Sequence, residues 1–104
     1  MKHIQQGDVC LEKSLLPKNA NKLKSDKRGF VLAEGEHTGH FHAIVAEPGV
    51  ELYEHEGTLF LTTNHEVELT HQEHNTITIP PGQYEVGRIS EYDHFADASR
   101  IVAD

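Results

Sequence analysis

The chain reads as an all-β domain: a small antiparallel β-barrel or jelly-roll-like sandwich of about eight short strands. Apolar and polar residues alternate through most of it, the period of strands buried on one side. Turn residues recur between the alternating runs, at Gly35 to Gly39, Glu47-Pro48-Gly49, Glu56-Gly57, Asn64-His65 and Pro80-Pro81-Gly82. No long helical period and no internal repeat competes with that pattern. At 104 residues the length suits one domain, 1–104, with a modest core.

The elements follow in order. Val9, Leu11 and Lys13 share one face of a first strand, which Leu15-Leu16-Pro17 ends. Residues 18–28 hold most of the basic side chains (Lys18, Lys22, Lys24, Lys27, Arg28) with little apolar mass, and read as a solvated loop. Phe30-Val31-Leu32-Ala33 forms a second strand and His40 to Ala46 a third. Val50, Leu52 and Glu54 begin a fourth, joined by a hairpin at Glu56-Gly57 to a fifth, Leu59 to Thr63. Val67 to Thr70 is a sixth and Thr76 to Ile79 a seventh. Pro80-Pro81-Gly82 predicts a type II turn, with Pro presetting the bend and Gly taking positive φ. The eighth strand starts at Tyr84 and Val86 and runs toward Tyr92. The tail Asp93–Asp104 holds a short helix or a last strand at Arg100-Ile101-Val102.

Composition narrows function. Seventeen acids against nine bases give a formal charge of −8. That excess disfavours nucleic acid, whose binding needs Lys and Arg to displace counterions, and disfavours anionic membranes. It suits the attraction of cations. A single cysteine, Cys10, rules out a disulfide framework within the chain and a Cys-based zinc site. The start, Met1 to Asp8, lacks the apolar run of a secretory signal, and no stretch approaches the ~18 apolar residues of a membrane span. The expectation is a cytoplasmic protein.

Nine histidines are the compositional outlier. Two pairs stand out: His40 and His42 in Gly-His-Phe-His, and His71 and His74 in His-Gln-Glu-His. Imidazole is the commonest metal ligand. Side chains two apart on a strand share a face roughly 6–7 Å apart, so His40 and His42 can converge on one ion. His71 and His74 are three apart and face opposite sides of a straight strand. They serve one ion only if Gln72-Glu73-His74-Asn75 bends. His37, in His-Thr-Gly-His, is a reserve ligand. Glu47 and Glu73 are candidate carboxylate ligands, and the candidates for a catalytic base acting on metal-bound water. His3, His55, His65 and His94 read as ordinary polar residues. Gly7-Asp8 reads as a turn first and as a carboxylate near a barrel mouth second.

The stretch Gly35–Glu47, with Gly35, His40, His42, Glu47 and Gly49, resembles the first metal motif of the cupin superfamily. That resemblance implies a small β-barrel carrying a divalent metal, in a group that spans dioxygenases, isomerases, epimerases and non-catalytic binders. The second cupin motif places a His after a Pro-x-Gly turn; here Pro80-Pro81-Gly82 is followed by Gln83-Tyr84-Glu85. The whole chain also resembles a set of small bacterial and phage proteins that share Gln6-Gly7-Asp8, the run 35–42, His71 to His74, the turn 81–84 and Glu91-Tyr92. That set implies no particular activity.

The expectation is therefore a divalent-metal-binding β-barrel protein with a site of His40, His42, His71 and His74, the ion being zinc, iron, manganese or nickel. Three classes follow. The first is a metal-dependent enzyme on a small-molecule ligand. The second is a protein with a closed structural zinc site. The third is a metal-free acidic interaction protein, such as a phage accessory protein. Exposed strand edges add the expectation of a homodimer.

Overall fold

The computed structural model describes residues 4–35 and 37–89. Among them the architecture is all-β, with ten strands: β1 (Ile4–Gln6), β2 (Val9–Lys13), β3 (Asn21–Lys22), β4 (Phe30–Glu34), β5 (Phe41–Ile44), β6 (Val50–His55), β7 (Thr58–Thr63), β8 (Val67–Thr70), β9 (Ile77–Ile79) and β10 (Gly82–Arg88). They form two antiparallel sheets, a six-stranded one in the order β1-β2-β10-β7-β6-β3 and a four-stranded one in the order β4-β5-β8-β9. The sheets do not close into a barrel, so the sandwich alternative is the one realised.

The chain crosses between sheets in hairpin-sized pieces. β4–β5 and β8–β9 lie in the small sheet, β6–β7 in the large one. β10 then enters between β2 and β7, with Val86 opposite both Leu11 and Leu59. One core lies between the sheets. Val9, Leu11, Val50, Leu52, Leu61, Tyr84 and Val86 come from the large sheet; Phe30, Leu32, Ile44, Val67, Leu69 and Ile79 come from the small one. These residues sit at every second position, as pleat geometry requires. In β4 a register irregularity between Val31 and Ala33 lets adjacent Leu32 and Ala33 both be buried, and β5 and β7 bury adjacent residues too, Ala43 with Ile44 and Phe60 with Leu61.

Several local expectations need correction. β1 and the two-residue β3 were not expected as strands, because each is too short to show a period. β5 begins at Phe41, so His40 precedes the strand. The Pro80–Gly82 corner is not a type II turn: Gly82 has φ of 154°, against about +80° for that turn, and belongs to β10. The hairpin at Glu56-Gly57 is present with both residues at positive φ, 50° and 85°, as a type I′ turn requires. β10 ends at Arg88, and the rest of the expected eighth strand and the tail helix or strand fall outside the described residues. The sheet edges are short (β1, β3, β9) or irregular (β4), devices that blunt pairing with another chain. Among the described residues no helix is long and apolar enough to cross a membrane.

Candidate metal centre

Strand register gathers the histidines. β5 and β8 are neighbours, with Ile44 opposite Leu69, and both side chains point into the core. Two residues further along the same faces lie His42 and His71, which continue that register as the next inward pair. Their ring centroids are 4.4 Å apart. The row of core side chains thus ends in imidazoles at one end of the sandwich. His40 stands edge-on to His71 at 5.4 Å. A bend over residues 72–74 turns His74 back to 4.4 Å from His71 and 6.0 Å from His42. The bend required of the second pair is present, and all four rings form one cluster.

The β1–β2 hairpin of the other sheet closes over them. Gln6, buried at the end of β1, donates both amide hydrogens, to the Leu69 carbonyl at 2.8 Å and the Asn75 carbonyl at 2.9 Å. This fixes its orientation, so its Oε1 is the atom 2.8 Å from His42 Nδ1. His42 must donate there, and in the neutral ring Nε2 carries the lone pair. The next residue, Gly7, has φ of +59°, and a Cβ on it would meet His74 Nε2 at 2.5 Å and His42 Cε1 at 3.3 Å. Only glycine lets the turn press against the rings. Asp8 follows, with Oδ1 3.3 Å from His42 Nε2 and Oδ2 2.9 Å from Arg88 Nη2. The Ile89 amide donates to the Asp8 carbonyl at 2.8 Å.

His42 is 4% exposed. Burial and the neighbouring His71 push its pKa below the ordinary imidazole value, while Asp8 pulls the other way. Desolvation, then His74 and His40, lower His71 as well. Burial works to raise the Asp8 carboxyl, but the hydrogen bond and charge of Arg88 outweigh it and hold the pKa below the usual carboxylate value. His71 Nδ1 accepts the backbone N–H groups of Glu73 at 3.0 Å and His74 at 3.2 Å. A neutral His71 so placed carries its proton on Nε2. Glu73 lies 3.8 Å from His40 Nε2.

An imidazole bound at ~2.1 Å holds its ring centre about 3.2 Å from the ion. Two rings on one ion then sit about 4.5 Å apart at right angles and up to about 6.4 Å in line. The four measured ring separations run from 4.4 to 6.0 Å, close to the lower part of that range. The nitrogens themselves do not converge. Among the described residues no group of three or more His, Cys, Asp or Glu side chains is placed to hold a metal ion as it stands.

Other candidates lie elsewhere. Glu47 is bound to His65 at 2.7 Å, and His65 Nδ1 contacts Asn64 Oδ1. His37 sits in the turn after Gly35, and His55 ends β6. His3 and His94 fall outside the described residues. Reading of the sequence missed Gln6, Gly7 and Arg88 as parts of this centre, and ranked Asp8 as a turn residue first. The available signal was the run Gln6-Gly7-Asp8, a glutamine on a core face before a Gly turn.

No curated protein and no solved structure matches the chain. One family does. Its profile covers residues 5–89, a span that takes in Gln6, Gly7, Asp8, all four clustered histidines and Arg88. The chain therefore belongs to the family described as Domain of unknown function (DUF8820).

Proposed function

We propose that the protein binds one divalent metal ion through the cluster His40, His42, His71 and His74. The observation that carries this reading is the state of His42. It is buried, its Nδ1 donates to Gln6 so that Nε2 is the nitrogen left to face an ion, and His71 and His74 stand 4.4 and 6.0 Å from it, with His40 5.4 Å from His71. An outer hydrogen-bond partner that fixes the tautomer of an inner imidazole is how metal-binding histidines are commonly oriented. Nitrogen donors of this kind suit zinc, iron, manganese or nickel. A bound ion would supply Lewis acidity or an activated water at the solvent-open side, where Asp8 and Glu73 are accessible.

The test uses protein purified without an affinity tag. Stoichiometric metal after purification, or tight uptake of added zinc, is expected. The double change His40→Ala, His42→Ala is expected to remove that binding and lower the melting temperature of the metal-loaded sample. Identical melting with and without chelator, together with unchanged metal content in the double variant, overturns the reading. The cobalt-substituted spectrum then separates a closed tetrahedral site from an open one with five or six ligands.

A further inference from the structure

We infer that Asp8 is a metal ligand in its own right, so that the centre is a mixed imidazole–carboxylate site rather than an all-histidine one. The inference rests on the proposed metal centre and adds its oxygen donor. A surface ion pair with Arg88 accounts for Asp8 Oδ2, which takes Arg88 Nη2 at 2.9 Å and Nε at 3.3 Å. It does not account for Oδ1, which sits 3.3 Å from His42 Nε2. Both hydrogens of the Gln6 amide are committed to carbonyls, so His42 donates from Nδ1, and Nε2 is the ring nitrogen turned to Asp8. A carboxylate oxygen and an imidazole nitrogen at that distance share a cation, either a proton on Nε2 or a metal ion that both ligate, and the cluster of His71 and His74 beside them supplies the further donors a metal ion needs. The carboxylate is also held rigidly: Arg88 fixes one oxygen and the Ile89 amide pins the Asp8 carbonyl. Gly7 carries the turn against His74 and His42. The hairpin thus delivers one anionic oxygen to the rings.

The chemical consequence is selectivity. An added carboxylate favours ions that accept mixed N/O shells of five or six ligands, such as manganese, iron, cobalt and nickel, over a purely tetrahedral zinc site.

The experiment titrates Co(II) into the metal-stripped, tag-free full chain, following heat and visible absorption, for the wild type, Asp8→Asn and His42→Ala. The expected result is binding by the wild type, loss of binding in His42→Ala, and in Asp8→Asn a changed cobalt spectrum with a weakening above the roughly 10–100-fold that loss of an outer hydrogen-bond partner costs. Unaltered affinity and spectrum in Asp8→Asn, with His42→Ala still defective, overturns this inference and leaves the histidine cluster standing. Failure of the wild type to bind overturns both. Should Asp8→Asn not fold, carboxyl-carbon NMR of aspartate-labelled wild type replaces it. A shift of the Asp8 signal on adding Zn(II) is expected, and an unmoved signal overturns the inference.

Discussion

Gln6 shows how one side chain joins sequence, packing and chemistry. It occupies a core-facing position where the strand pattern calls for an apolar residue, and is 3% exposed. A buried amide costs stability unless its polar atoms are satisfied. Gln6 satisfies all of them across the sandwich, on Leu69, Asn75 and His42. Truncation to Ala would leave two carbonyls and an imidazole N–H without their partner, so Gln6→Ala is expected to cost about 2–4 kcal/mol, from unsatisfied groups of about 1–3 kcal/mol each partly relieved by water. Urea unfolding of the metal-stripped protein measures it. A cost below about 1 kcal/mol would show that the network is dispensable.

Among the elements, the β6–β7 hairpin carries the clearest local cost. Its six-residue strands pair in full register, His55 opposite Thr58, around a two-residue turn. Such a turn demands positive φ at both positions, and Glu56 meets that demand with a side chain that disfavours it. Asn tolerates that conformation better. Glu56→Asn is expected to raise stability by about 0.5–1 kcal/mol, read as a higher melting temperature with an unchanged denaturant slope. By contrast the β1–β2 turn already has Gly7 where the backbone needs it. The two hairpins therefore differ in purpose: one only links strands, the other places Gln6 and Asp8 over the histidines.

For the whole molecule, stability rests on a single core shared by two sheets. Leu61 is fully buried, facing Leu52 on one neighbour and Tyr84 on the other. Leu61→Ala is expected to cost about 2–5 kcal/mol. Against a total of about 5–15 kcal/mol for a domain of this kind, that is a large fraction. A melting temperature lowered by less than about 8 °C would be out of line with that burial. The large sheet also holds the ends of the described chain together, because β10 inserts between β2 and β7 and brings Arg88 to Asp8 across eighty positions of sequence.

The residues alone determined the fold class, most strands and the identity of the metal-binding candidates, because alternation of burial and the chemistry of imidazole are local properties. His40 with His42, and His71 with His74, could be picked out as pairs without any structure. Their union into one cluster could not, since it depends on the register of β5 against β8, set by packing between segments far apart in the chain. The sandwich in place of a closed barrel was likewise decided by which edges pair. So was the role of the Gln6-Gly7-Asp8 turn: its amide orients His42 and its carboxylate faces that ring only after one sheet has folded over the other, and no period in the sequence encodes a contact between sheets.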